Sequence, residues 1–164
     1  MYPDLGLLLL RVAIGGVMLA HGLQKFGLLG GPGLEGITGF FANLGFRPAR
    51  AWAQLVAVVE TVGGVSLILG LLTPVAGLLI AADLLVAIVV VHWPRFWAQD
   101  SGLEFPLPIA AGALALALVG PGAWSLDAAL GVRLNDVALL ALAAVVGLGA
   151  VLAIVIRRAR PTAT

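Results

Sequence analysis

Seven ionisable side chains stand where the sequence is otherwise apolar: Arg11, His21, Lys25, Glu60, Asp83, His92 and Glu104. Arg11, Glu60 and Asp83 fall inside long runs of Leu, Val, Ala, Ile and Gly; the other four lie near the ends of such runs. A charge near the centre of a bilayer costs about 2.5–3.5 kcal/mol on insertion scales, so intramembrane charges are functional by default. The residue types suit proton chemistry. A neutral imidazole and a buried carboxyl can exchange a proton, and a His or Lys can donate to a carbonyl oxygen. At about 100° per residue, Lys25 lies about −40° and His21 about −80° from Arg11 on a helix, so the three share one face. Glu60 and Asp83 each fall about ten residues into their runs, roughly 15 Å deep. The expected arrangement is a buried pair or triad of Arg11 with Glu60 or Asp83. A second layer of His21, Lys25, His92 and Glu104 should then face the cytoplasm. The competing reading is structural: the charges fix helix register, and His92 neutralises a helix dipole. Two His with carboxylates could suit a metal, but the sequence has no HxxxH or ExxH spacing and no metal site is expected.

The elements that must position these groups are membrane helices. Hydrophobic residues make up 62% of the 164 positions and charged residues only 10%, with a mean hydropathy of +1.14. A soluble domain carries about 25% charged residues, so this chain could not cover itself in water. Its net charge of +1 is too small and too scattered for a nucleic-acid surface. Cysteine is absent, which removes disulfides, thiolate metal or Fe–S ligation and a thiol relay within the chain. The first apolar run lacks a basic leader and a cleavage site and reads as a retained helix.

Five stretches approach the length of a span: Leu5–Phe26, Ala51–Leu72, Thr73–Val91, Phe105–Val119 and Val137–Ile156. Gly70-Leu71-Leu72-Thr73-Pro74 punctuates the second and third, His92-Trp93-Pro94 closes the third, and Gly120-Pro121-Gly122 closes the fourth. Trp52, Trp93, Trp97 and Trp124 sit near span ends, where headgroups favour an amphipathic ring. Between the first two spans, Leu34, Ile37, Phe40, Phe41 and Leu44 recur at helical spacing, which predicts a short amphipathic helix at the interface or over the mouth of the bundle. Gly15-Gly16, Gly63-Gly64 and Gly147-x-Gly149 are candidate close crossings. A cytoplasmic carboxyl terminus collects seven of the nine basic residues on one side: Lys25, Arg47, Arg50, Arg95, Arg157, Arg158 and Arg160. The expected location is the plasma or inner membrane, multi-pass, with the amino terminus outside.

Leu10-Arg11-Val12 followed by His21-Gly22-Leu23-Gln24-Lys25-Phe26 resembles the first-helix signature of DoxX family membrane proteins. Gly39-Phe40-Phe41 with Gly45, Glu60 with Gly63-Gly64, Leu69-Gly70-Leu71 and Thr73 follow in the same order. Gly102-Leu103-Glu104, Gly120-Pro121-Gly122 and Ser125-Leu126-Asp127 are similar to its closing motifs. The resemblance covers about residues 5–131 and implies a four-helix body. The expected fold is therefore all-α: a polytopic membrane bundle with a four-helix core in residues 1–131, a short interfacial helix after the first span, and in residues 132–164 an additional C-terminal transmembrane helix with a basic tail. Arg11, His21, Lys25, Glu60 and Glu104 match the family's recurrent polar positions; Asp83 and His92 rest on the physical argument.

The family is named for a subunit linked to thiosulfate:quinone oxidoreduction, and other members associate with redox or detoxification proteins. That implies a membrane subunit that binds a quinone or another small amphipathic molecule beside a soluble or membrane redox partner. It would be at most a subunit of a quinone-linked oxidoreductase, with quinone as ligand and no cofactor of its own. The other expected partners are the lipid bilayer and, in an oligomer, further copies of the chain. The pocket is expected beside the first helix, between His21 and Glu60, under the segment from Leu34 to Leu44. Two further readings belong to different classes: a membrane-protein chaperone or assembly factor presenting the small-residue face of the fifth span, and a small-solute or proton transporter using the midplane carboxyls.

Overall fold

In the computed structural model, which describes residues 2–132 and the single helical residue Gly149, the described chain is helical and contains no strand. The first helix, α1, runs over Tyr2–Lys25, and a short α2 over Gly33–Asn43. The third, α3, covers Ala49–Leu69. Next, α4 covers Thr73–Ala87 and continues through one π-helical turn, Ile88–His92. A loop holding a single 3₁₀ turn, Ala98–Asp100, leads to α5, Pro106–Val119, and to the short α6, Leu126–Leu130. Three helical segments, Tyr2–Lys25, Ala49–Leu69 and Thr73–His92, are long and apolar enough to cross a membrane, and the apolar α5 is shorter. Together they form an all-α membrane bundle. The expected fifth span, with Arg157, Arg158 and Arg160 beyond it, lies outside the described residues apart from Gly149.

The ends of the helices follow from local chemistry. Pro74 sits in the first turn of α4 and Pro106 in that of α5, where a missing N–H is harmless. Gly70 closes α3 in the left-handed region at φ 66°, a conformation that costs a residue with a Cβ. Ser125 caps α6 by accepting from the Ala128 N–H at 3.1 Å. The predicted interfacial helix is α2, which buries no residue completely. It is held at one end by an aromatic cluster: Phe41 packs edge-on to Phe46 at 5.1 Å and Phe46 to Trp52 at 5.6 Å, with Val86, Val90 and Val91 of the α4 end beneath.

The most extensive contacts join α1 to α3 and α4 to α5, and α2 lies mainly on α3. Lipid gives helices no hydrophobic reason to associate, so contact depends on close van der Waals fit through small residues. At the α1–α3 seam the backbones touch. A Cβ on Gly64 would stand 2.6 Å from the Leu19 nitrogen and 2.7 Å from the Gly15 carbonyl oxygen; one on Gly15 would meet the Gly64 carbonyl oxygen at 2.6 Å. Gly22 presses in the same way on Thr61. Gly77 of α4 lies against the Ala113 carbonyl of α5, where a Cβ would be 2.6 Å away. Between the two pairs lies the apolar core of Ile14, Met18, Leu67, Ile80, Ala113 and Leu116.

Gly16 differs from its neighbour, since a Cβ there meets nothing within 4 Å. Gly64→Ala should therefore lower thermal stability in detergent by about 1–3 kcal/mol, because backbone atoms cannot yield and the helices must part. Gly16→Ala should be neutral or mildly stabilising through helix propensity. Equal effects at the two positions would show that the seam is not closed by backbone contact.

Candidate functional site

The stagger of α1 on α3 decides which charged groups meet. Gly22 faces Thr61, so α1 ends beside the middle of α3 and not at its beginning. Lys25, in the last turn of α1, then reaches Glu60, and its Nζ donates to Oε2 at 2.5 Å. The pair is well shielded, with side-chain exposures of 17% for Lys25 and 7% for Glu60. Lys25 also lies at the carbonyl end of α1, where the helix dipole favours a cation. From α4, Asp83 stands within electrostatic reach of both Glu60 and Lys25. Three helices thus supply one ammonium and two carboxyls to a single point. Fully ionised, the set carries −1; one bound proton makes it neutral.

His21 stands one turn before Lys25 but turns towards α5, its ring 5.9 Å from that of Phe105 and tilted by 34°. It forms an aromatic wall beside the trio. The expected second layer is not continuous. The Nδ1–H of His92 donates to the Ser101 carbonyl at 2.7 Å, and Glu104 accepts from the Ala98 N–H at 2.8 Å. Both residues tie down the loop that joins α4 to α5, which the Leu103 N–H to Arg95 carbonyl bond also closes at 3.0 Å.

The expected pairing of Arg11 with Glu60 or Asp83 is overturned. Arg11 is completely buried, but it lies fourteen residues before Lys25 on α1, about 20 Å away along the axis. Its Nη2 donates to the Trp124 carbonyl, its guanidinium lies against Gly70, and the nearby charge is that of Asp127. Asp127 accepts from the Leu72 N–H at 2.7 Å and the Thr73 N–H at 2.9 Å, capping α4, while its own N–H donates to the Gly70 carbonyl at 2.8 Å. Arg11 and Asp127 therefore knot α1, the α3–α4 turn and α6 together at the far end. Helical-wheel geometry gives directions around α1, where Lys25 reaches α3 and His21 turns to α5, but it does not fix heights between helices. Residue spacing does not point to Asp127, Trp124 or Phe105 as contacts of the site residues; for Asp127, the Ser125-x-Asp127 capping pattern is the one available signal.

The chain matches the DoxX family over residues 6–93, a stretch that includes Arg11, Lys25, Glu60 and Asp83. It belongs to the DoxX family. A Bacillus subtilis (strain 168) protein named "Putative oxidoreductase CatD" is 34% identical over 124 residues, covering 76% of this chain and 86% of the relative. A Mycobacterium tuberculosis (strain ATCC 25618 / H37Rv) protein named "Uncharacterized membrane protein Rv3486" is 34% identical over 135 residues, covering 76% of this chain and 80% of its own length. No solved structure matches the chain.

Two separate polar clusters make a specific prediction about coupling. Arg11→Met and Asp127→Asn should each lower the melting temperature in detergent, and the double variant should fall short of their sum, because both break one knot. Arg11→Met combined with Glu60→Gln should be additive, as distant sites are. Coupling between Arg11 and Glu60 above about 0.5 kcal/mol would contradict the placement of Arg11 at the far end.

Proposed function

We propose that this DoxX family protein is a quinone-binding membrane subunit that works beside a redox partner, with Lys25, Glu60 and Asp83 as the polar end of the ligand site. The observation that carries this reading is the convergence of one ammonium and two carboxyls from three helices in an apolar bundle. Register alone needs one pair, and the third group adds a carboxyl with no cation of its own. A quinone headgroup suits such a place: its ring would lie against apolar and aromatic walls, of which His21 and Phe105 form one, and its carbonyl would accept from the remaining N–H groups of Lys25. Reduction to the quinol takes two electrons and two protons. Asp83 and Glu60 would hold and pass the protons, and the electrons would come from a reduced centre on the partner. The relative named as an oxidoreductase supports the same direction.

In this reading α2 covers the site, and the connection from Phe26 to Pro32 lets it do so. The face bearing Lys25, Arg47, Arg50 and Arg95 is the cytoplasmic one, by the excess of basic residues there. The amino terminus is then outside.

A photoactivatable quinone analogue in native membranes tests the proposal. Labelling should fall in α1, α3 or α4 near the trio, compete with unmodified quinone, and be lost in Asp83→Asn and Glu60→Gln variants that still fold. Labelling that survives both substitutions, or none at saturating analogue, would overturn it.

A further inference from the structure

The trio lies off-centre between the two ends of the bundle, and the packing on either side of it is unequal. Towards the amino-terminal end of α1, the next layer consists of Met18, Leu67, Ile80 and Leu116, each no more than 1% exposed, with Ala113 equally buried. Leu67 is seven residues beyond Glu60 on α3, about 10 Å along the axis. Apart from the weakly accepting Met18 thioether, no side chain of that layer can bond to a chain of waters, and the Gly15–Gly64 seam closes the backbones on each other. Above it stands the knot of Arg11, Thr73 and Asp127, at 0%, 0% and 3% exposure. The Arg11 charge is a further barrier to a proton arriving from that end.

On the opposite side the closure is slight. Lys25 retains partial exposure, α1 stops there, and the residues that follow, Phe26 to Gly30, are exposed. The covering helix α2 buries none of its residues completely and is pinned chiefly through Phe41.

We infer that the Lys25–Glu60–Asp83 trio exchanges protons with water at the basic face alone, and that the described bundle provides no proton route across the membrane. The inference rests on the reading of the trio as a working site but not on the ligand being a quinone. It makes the site's proton uptake one-sided: reduction of a bound ligand consumes protons from the compartment that the basic face meets, with no proton taken from the other. It also separates this protein from the transporter reading, in which the same carboxyls would meet each compartment in turn.

The absence of cysteine makes a direct test available in the intact chain. Single cysteines are introduced by Asp83→Cys, which leaves the Lys25–Glu60 bond in place, and separately by Glu60→Cys. Asp100→Cys and Ala123→Cys, both at exposed positions at opposite ends of the bundle, report the two faces. A small charged methanethiosulfonate, which does not cross lipid, is applied to one side of sealed vesicles at a time. Asp83→Cys should be modified only from the side that modifies Asp100→Cys, and Glu60→Cys, where it folds, should follow it. Modification from the side that modifies Ala123→Cys, or from neither side, overturns the inference. A quinone analogue that fails to label the protein while this one-sided pattern holds would defeat the ligand assignment and leave the access route standing. The converse pair of results would do the opposite.

Discussion

Contact between α1 and α3 through Gly15, Gly22 and Gly64 sets the height at which every ionisable group of α1 stands. Because the backbones touch, the register of the two helices cannot drift by a turn without a clash. That register ends α1 beside the midpoint of α3, where Lys25 finds Glu60, and carries Arg11 up to Gly70 at the end of α3. A looser seam would tolerate other heights, and each would leave a buried charge without its partner.

The consequence is a bundle with two polar centres and an apolar layer between them. One centre is structural: Arg11 donates to the Trp124 carbonyl and faces Asp127, which spends both carboxylate oxygens on backbone N–H groups of the α4 start. Arg11 keeps its buried Nε and Nη1 without a hydrogen-bond partner, so its burial leans on the Trp124 carbonyl and the Asp127 charge; removing one partner of a buried pair typically costs about 3–5 kcal/mol. The other centre has a different character. Lys25 and Glu60 satisfy each other, and Asp83 adds a second carboxyl to a site that already has its ion pair. An arrangement meant only to hold helices together has no need of that third group.

Much of this was legible in the sequence, and what was not has a physical reason. Hydropathy and Pro/Gly punctuation gave α1, α3, α4 and α5 to within a few residues, since a span's length is dictated by the bilayer. The interfacial α2 followed from the spacing of Leu34, Ile37, Phe40 and Phe41. Glu60 and Asp83 stood out because carboxyls are rare in such runs. The partner of Arg11 does not follow from the sequence. A helical wheel reports direction and not height, and the stagger that separates Arg11 from Glu60 is decided by which glycines meet. The short α6 carries no periodicity in its five residues, and only its caps, Ser125 and Gly131, mark it. His92 and Glu104 look like site residues in the sequence and turn out to fasten a loop, since the bonds of His92 to Ser101 and of Glu104 to Ala98 depend on how that loop folds back.

The proposed site requires Lys25, Glu60 and Asp83 to stand as one interdependent set. A double-mutant cycle on Lys25→Met and Glu60→Gln, read as unfolding free energy in detergent, tests that most directly. Each single change should destabilise by about 3–5 kcal/mol by stranding the other group, and the double variant should be more stable than either single one. Additive losses would show that Lys25 and Glu60 do not share a buried bond, and the account of the site would fail with them.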